Sequence, residues 1–509
     1  MDSPSTLRDP TTLTFQKDGL RRSIILAYWV VIFLALPIWW YQTSIERLSL
    51  PSARIQQVAR SRLTLPITIC VESADAHLVS SLKTQLALRQ FEHEERWDGL
   101  AISVTGRNEC NMLGEVGVSD VYTIMPGEGS PTIQGRTLSF PMTGSDVAVK
   151  LADLLESLLA PYSKDNDPER RAAQYSSRYR LAFSLLNEDS AAGGGVLDWD
   201  IRTELKAYIH PIHRRIAPLH NFTIESQVQF HAPLAFVPQK VEDVYGLTPE
   251  QLTVFVNSAE WILSSSSSND PVLHFVLFVP SSDRRPLQIL NRNGVPSQSN
   301  AFLLPQWGGI VVSNPSAAAL SDDRLLRHEM DTVFSVFAHQ LLALLGVSHL
   351  PTDVVTSTKQ DSLLSEWQLD ALARRRTLEN VHDSQDTLLS IVKLVDQIEN
   401  MPVHDGVKTD VEEALNALAS MYDSPTSSLY QKFAYSAKSF GLASRAFFNP
   451  GMLALLYFPA EHKYAIYSPL FASAVIPLLV AALRELLALR KERKQAKHAA
   501  QRPAGSADL

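Results

Sequence analysis

Few residues in this 509-residue sequence have a type and spacing that chemistry could use. His328 and Glu329 stand together in a stretch of helical periodicity. A helical zinc-protease site needs a second histidine four residues after the first, so that both imidazoles share one face. Position 332 is Thr332, and His339 lies three turns on, so an ordinary amphipathic helix is the better reading. His210 and His213 are three apart, but Pro211 between them disfavours a helix interior. No acidic or cysteine partner is close by in sequence to complete a ligand set. The triglycine Gly193 to Gly195 lacks the following Lys-Ser or Lys-Thr pair of a phosphate loop and reads as a flexible loop. There is no Gly-x-Ser-x-Gly elbow. The two cysteines, Cys70 and Cys110, are too few for a disulfide scaffold or a structural zinc site. In an oxidising compartment they could bond to each other, a pairing that sequence leaves open. The sequence therefore nominates no catalytic, cofactor-binding or metal-ligating residue. A dispersed triad would leave no contiguous motif.

The elements around these residues carry a stronger signal. At 45% apolar and 20% charged, most of the chain has the composition of a soluble globular protein. The net charge of -8 is mild and gives no reason to expect nucleic acid. Two stretches depart from that average. SIILAYWVVIFLALPIWWY, Ser23 to Tyr41, has no charge and is long enough to cross a hydrocarbon core of about 30 Å. Trp39, Trp40 and Tyr41 close it where a cleaved signal would need small residues, and they read as a membrane-interface belt. AIYSPLFASAVIPLLVAAL, Ala465 to Leu483, is also uncharged. Its Pro469 and Pro477 are tolerated better in a membrane helix than in a soluble one. A charged tail runs on to Leu509, which argues against this stretch being a signal for attaching a lipid anchor.

Cationic flanks favour the cytosolic side. Arg8, Lys17, Arg21 and Arg22 precede the first stretch, and Arg490, Lys491, Arg493, Lys494 and Lys497 follow the second. The expected organisation is a cytosolic tail (1–22), a first span (23–41), a juxtamembrane connection (42–63), a lumenal body (64–463), a second span (464–489) and a basic cytosolic tail (490–509). Asn221-Phe222-Thr223 is a glycosylation sequon inside the body.

Within the body, Ile67, Ile69 and Val71 alternate as in a strand, Leu78, Leu82 and Leu86 form a helical stripe, and Leu100, Ile102 and Val104 alternate again. That order suggests an α/β unit. Another strand is expected at Val121 to Met125, and helices at Val147 to Leu158 and Arg170 to Leu186. A second region opens with Phe222, Ile224, Val228 and Phe230 on one strand parity. VLHFVLFV, Val272 to Val279, fits a central strand covered on both faces, with a shorter one at Ile310 to Val312. Ser264 to Ser268 reads as a surface loop. Leu325 to Leu345 predicts a helix ending at Gly346. Leu388, Ile391, Val392, Val395 and Ile398 form one stripe, and Val411, Ala414, Leu415 and Leu418 another. Pro402 and Gly406 mark the turn between them, and Thr409 with Glu412 has capping-box spacing at the second helix's start. These stripes predict an antiparallel helix pair, whose apolar faces pack on this chain's own sheet or present a partner surface. The fold class is thus a mixed sheet covered by helices, plus a helical C-terminal part, flanked by two membrane helices. Sub-units at 64–220, 221–350 and 351–440 are expected.

Four stretches resemble one family: LPIWWYQTSIERLSLP (Leu36 to Pro51), NFTIESQVQFHAPL (Asn221 to Leu234), LPQWGGIVVSNP (Leu304 to Pro315) and LLYFPAEHKYAIYSPL (Leu455 to Leu470). The family is PIG-S, the phosphatidylinositol-glycan class S subunit of the GPI transamidase complex, and the resemblance runs from the first span through the second. It implies an endoplasmic-reticulum membrane complex that removes a C-terminal signal from a precursor and joins the new carboxyl end to a preassembled GPI lipid. It implies partner subunits, including the cysteine-protease-like PIG-K that carries the nucleophile, with membrane lipids around the anchors and GPI lipid or precursor touched at most indirectly. The PIG-S-like subunit would be structural, without cofactor or catalytic residue. The competing readings are a membrane-anchored lumenal hydrolase with a dispersed active site and a lumenal cargo- or lipid-binding receptor.

Overall fold

The computed structural model describes residues 17–500 except 44–46, 74, 108–109, 111–119, 145, 163–171, 192–193, 242, 264–267, 317–324, 326, 358–362, 399–400, 424–426 and 453–459. The loop expected at Ser264 to Ser268 falls almost wholly outside the described residues, as does Gly193. The chain divides into two compact units. One comprises Ser52–Leu389 and Glu412–Ser444; the other comprises the chain up to Pro51, Ser390–Val411, and Arg445 onward.

In chain order the elements are α1 (Asp18–Thr43), α2 (Ser52–Ala59), β1 (Leu65–Val71), α3 (Ala76–Glu92), β2 (Leu100–Gly106), β3 (Val121–Gly127), β4 (Thr132–Gln134), β5 (Thr137–Pro141), α4 (Val147–Leu159), β6 (Arg178–Asn187), α5 (His210–Ile216), β7 (Asn221–Gln229), β8 (Gln239–Val241), β9 (Val244–Leu247), β10 (Val272–Val279), β11 (Leu287–Ile289), β12 (Ala301–Leu304), β13 (Gly308–Val312), α6 (Arg327–Leu345), β14 (Val355–Thr356), α7 (Glu366–Gln397), α8 (Asp405–Asp423), α9 (Leu429–Phe447) and α10 (Ala460–Ala500).

The first unit named holds two larger sheets, each built around parallel strands. The first has the order β14-β4-β5-β3-β1-β2, with β1 parallel to both β2 and β3. The second has the order β12-β13-β10-β6-β7, with only β12 antiparallel. A small sheet, β11-β9-β8, flanks them. Parallel sheets need both faces covered, because their crossovers are helices. Accordingly, Ile67, Ile69, Val71, Leu82, Leu86, Leu151, Leu155 and Leu158 form one core, and Phe183, Phe275, Phe334, Phe337 and Leu341 belong to another. The alternating and continuous apolar runs read from the sequence become β1, β2, β7, β10 and β13, and β10 is central as expected.

Three expectations are corrected. The described part of the helix expected from Arg170 to Leu186 is not helical: Arg178–Asn187 is strand β6, buried along nearly its whole length beside β10. A short apolar run covered on both faces carries no period, so pattern alone cannot separate strand from helix there. β6 also pairs with β7, so the second sheet begins inside the 64–220 sub-unit expected from sequence. The proposed capping box at Thr409 and Glu412 lies inside α8, which starts at Asp405 and holds Gly406 in its first turn. A third helix, α9, was not anticipated. Gln385 of α7 bonds Tyr422 of α8, and Asn380 of α7 bonds Ser436 of α9, so α7 runs against both α8 and α9. The stripes at Leu388, Ile391, Val392, Val395 and at Val411, Ala414, Leu415, Leu418 are buried within the chain, which removes them as a partner surface.

Helix ends follow local chemistry. Gly346, at φ +83°, ends α6, and the Val347 N–H closes back on the Leu342 carbonyl. This is the left-handed cap that glycine accepts without a Cβ penalty. Trp-Gly-Gly at the start of β13 has a steric reason. A Cβ on Gly308 would lie 2.0 Å from the His274 carbonyl oxygen, and one on Gly309 would lie 2.0 Å from Gln340 Oε1. Gly308→Ala should therefore lower the thermal midpoint clearly, because the added Cβ meets the His274 backbone of the paired strand, which must move away. Gly406→Ala, in open helical space, should leave it unchanged or raise it. Circular-dichroism melts of the detergent-purified chain compare the two.

His220 sits just before β7 among Tyr175, Tyr179 and Phe222. Burial pushes its pKa down to about 4, against the opposing hydrogen bond to the Ser176 carbonyl. The folded value is below the unfolded one, so the folded chain binds fewer protons. This stability is complete above pH of about 6.5 and is lost as pH falls toward 4, by a few kcal/mol in all. Unfolding followed from pH 7 to pH 4 should show that loss, and His220→Gln should flatten it.

Candidate functional site

In open α/β sheets, ligand sites form outside the carboxyl ends of the strands where the strand order reverses. In the second sheet that point lies between β6 and β10. Here polar side chains of the chain pair with one another and with its backbone. Glu188, immediately after β6, is buried and accepts from the Ser281 N–H at 3.0 Å and from Arg284. Asn187 clasps Val196 with two 2.8 Å bonds, one donated by its side chain and one accepted. Arg285 donates to the Pro280 carbonyl at 2.8 Å through Nε and to the Gly194 carbonyl at 2.6 Å through Nη2. The described part of the triglycine loop is thus pinned over the strand ends, and burial lowers the Arg285 pKa.

The most concentrated polar centre is elsewhere. Asp370, wholly buried on α7, accepts from the Tyr122 hydroxyl at 2.7 Å, from Arg136 Nε at 2.7 Å and Nη2 at 3.0 Å, and from the Tyr430 hydroxyl at 2.9 Å. Arg374, one turn on, donates to the Tyr122 hydroxyl at 2.7 Å. Burial raises the pKa of both tyrosines, and the bond to Asp370 raises that of Arg136. The three consecutive arginines of α7 have separate tasks. Arg374 serves this centre, Arg375 lies 4.4 Å over the Tyr162 ring, and Arg376 bonds the Ala173 and Leu345 carbonyls, capping the end of α6. The centre holds one carboxylate surrounded by donors and no nucleophile with a base. It can fix geometry; it offers no proton-transfer pair.

The residues singled out from sequence stay apart. Glu329 accepts from the Ser316 N–H, and His339 is exposed and bonds the Ser335 carbonyl. His210 and His213 lie 6.5 Å apart by ring centroid, and His213 packs against Phe222. Contrary to the expectation drawn from Pro211, both are helical. The preceding turn, Leu205–Ile209, widens to a π-helix with the His210 N–H bonded to the Leu205 carbonyl, and Pro211 falls in the first turn of α5. Proline has no N–H to satisfy there. Among the described residues, no group of three His, Cys, Asp or Glu could hold a metal ion. Cys70 and Cys110 are joined through sulfur with their Cα atoms 5.7 Å apart. Asn221 is exposed at the start of β7, its Oδ1 taking the Phe222 N–H. The Asp370 centre was missed by sequence reasoning, although a carboxylate four residues before an arginine, among Trp367, Ala371 and Leu372, was a signal to be read.

The second unit carries the anchors. Gly19–Gln42 and Tyr464–His498 are long and apolar enough to cross a membrane. They pair antiparallel. Arg21 and Arg22 of α1 bond Glu485 of α10, and Arg22 also bonds Glu492 at 2.9 Å. At the opposite end Trp39 packs edge-on against Tyr467 and Phe471, at 5.4 and 5.2 Å. The less exposed positions recur in steps of three and four: Arg22, Ile25, Trp29 and Ile32 on α1, and Val475, Leu478, Ala482, Glu485 and Leu489 on α10. That spacing gives two helices a continuous seam. From Arg22 to Trp39 is about 25 Å of helix, close to the hydrocarbon thickness. Trp39 thus faces the partner helix, whereas Trp40 and Tyr41 remain exposed.

Residues 26–492 match the model of the PIG-S family, described as phosphatidylinositol-glycan biosynthesis class S protein. The chain belongs to the PIG-S family. The GPI-anchor transamidase component PIGS of Bos taurus is 30% identical over 542 residues, covering 94% of this chain and 96% of that protein. The Homo sapiens protein of the same name is 30% identical over 538 residues, covering 93% and 96%. The GPI transamidase component PIG-S homolog of Schizosaccharomyces pombe is 28% identical over 524 residues, covering 97% and 89%. Two of the PIG-S-like stretches find a structural reason: NFTIESQVQFHAPL forms β7 and its exit, and LPQWGGIVVSNP forms the close β12–β13 turn. The other two run partly through residues 44–46 and 453–459, outside the described residues.

Asp370→Ala should destabilise this PIG-S family member by about 3 kcal/mol or more, since it takes the shared acceptor from the buried Tyr122 hydroxyl, the half-buried Tyr430 hydroxyl and Arg136, which keeps Asp120. Chemical denaturation of the purified chain measures it. A change within about 0.5 kcal/mol would contradict the role given to this centre.

Proposed function

We propose that this protein is a structural subunit of a GPI transamidase, held in the endoplasmic-reticulum membrane by α1 and α10. In this reading both termini are cytosolic and the body between the anchors is lumenal. The nucleophile belongs to a separate, cysteine-protease-like subunit of the PIG-K kind. One observation carries the reading: the family match runs through both anchors and the whole body, alongside relatives named as GPI transamidase components. The hydrogen bonds that pin the strand-end loops and those that surround Asp370 fit a structural part for this subunit. Two anchors would keep the body at high local concentration beside other membrane subunits. The lumenal placement suits the Cys70–Cys110 bond, which needs an oxidising compartment. It also suits Asn221, an exposed sequon asparagine within reach of glycosylation. GPI lipid and precursor would be met through the complex rather than through a pocket of this chain.

The test is purification of the full chain from microsomes in mild detergent, with mass spectrometry of what accompanies it and of the fragment that survives external protease. A PIG-K-like subunit should co-purify. The protected fragment should span both sheets and carry the disulfide and a glycan on Asn221. Absence of the protease-like subunit, or digestion of the body from the cytosolic side, would overturn the assignment.

A further inference from the structure

Helix α10 does not stop where the bilayer does. Its 41 residues measure about 62 Å, twice the hydrocarbon thickness. Beyond Glu485 the helix continues and carries Arg490, Arg493, Lys494 and Lys497. These fall at i, i+3, i+4 and i+7, which is one face of a helix, with Lys491 beside it. All five are exposed. The seam with α1 lies elsewhere on the circumference, at Glu485 and Leu489. The acidic groups of this stretch are already committed: Glu485 is held by Arg21 and Arg22, and Glu492 by Arg22. Among the described residues, none of the five cations of the extension enters an ion pair with a carboxylate of the chain.

We propose that this basic stripe binds the headgroups of acidic phospholipids in the leaflet from which α10 emerges. Depth favours that ligand. Arg490 lies about 7 Å of helix beyond Glu485, and Lys494 about 13 Å. The headgroup layer is about 5–7 Å thick, and an acidic surface acts over a further Debye length of about 8 Å. Long arginine and lysine stems reach back toward the interface. Arg490, Lys491, Arg493 and Lys494 thus lie within the field of the leaflet, and Lys497 at its margin. The arginines of α1 strip the acidic side chains from the stripe's surroundings, which leaves its cations for an external anion. The site has no cavity and no fixed hydrogen-bond geometry. It selects by charge, so phosphatidylserine and phosphatidylinositol would bind and phosphatidylcholine would not.

This inference rests on the two membrane spans and not on the transamidase assignment, and its test uses the chain alone. The full-length chain is placed in nanodiscs of four parts phosphatidylcholine to one part phosphatidylserine, then released, and the lipids that leave with it are counted by native mass spectrometry. An acidic surface attracts each nearby lysine or arginine roughly fivefold, so phosphatidylserine should be enriched several-fold over its bulk share. The enrichment should vanish in R490Q/K491Q/R493Q/K494Q/K497Q, persist in R490K/R493K, and collapse near 1 M salt, where the Debye length is about 3 Å. An unchanged thermal midpoint shows that the neutral variant is folded, and the salt series on the natural chain reads the same interaction without any substitution. Equal enrichment in the natural chain and the neutral variant, or none in either, would overturn the proposal and leave the stripe as an orientation signal only. Loss of co-purifying subunits would bear on the transamidase reading and not on this one.

Discussion

One buried carboxylate, Asp370, ties together the parts of the main body. It stands on α7 between the cores of the two larger sheets. Trp367 joins the first core, and Leu369, Leu372 and Ala373 join the second. A charge in such a place is tolerated only when donors surround it. Tyr122 comes from β3, Arg136 from the turn between β4 and β5, and Tyr430 from α9. Each donor lies in a different part of the chain, so the charge can be satisfied only when sheet and helices are assembled. Apolar burial supplies the bulk of the driving force. The carboxylate adds direction, because its bonds fix which face of α7 meets the first sheet.

The same internal pairing of polar groups appears at the strand ends. An open parallel sheet leaves a crevice at its switch point, the usual place for a cofactor or substrate. Here Glu188, Arg284, Arg285 and Asn187 direct their hydrogen bonds to the chain's own backbone and to one another. At this crest the polar side chains hold the loops of the chain itself. That is why function must be argued from the membership of the chain in the PIG-S family and from its surfaces, since fold alone does not imply activity.

The anchor pair obeys a different solvent. Between lipid-facing helices burial from water no longer drives association, and packing and polar contacts take over. The three-and-four spacing of Ile25, Trp29 and Ile32 against Val475, Leu478 and Ala482 supplies the packing. Arginine and glutamate close one end of the seam, and aromatic rings close the other. Both closures sit near the levels where hydrocarbon gives way to headgroups. There a charged group can be solvated and an indole ring is at home.

The sequence by itself determined the two membrane helices, the α/β class and strands β1, β2, β3, β7, β10 and β13. Uninterrupted apolar runs, period-two alternation and charged flanks are local properties, readable wherever one face or the whole of an element meets a uniform environment. It also carried the family, through long stretches such as LPQWGGIVVSNP. Tertiary structure alone decided the rest. β6 is a strand because β7 and β10 pair with it, although its apolar run suits a helix equally well. Pro211 sits in a helix because the turn before it widens. Asp370, Arg136, Tyr122 and Tyr430 form one centre although they are far apart in sequence. Pairing partners and buried polar networks join residues separated by hundreds of positions, and no local period records which of them will meet.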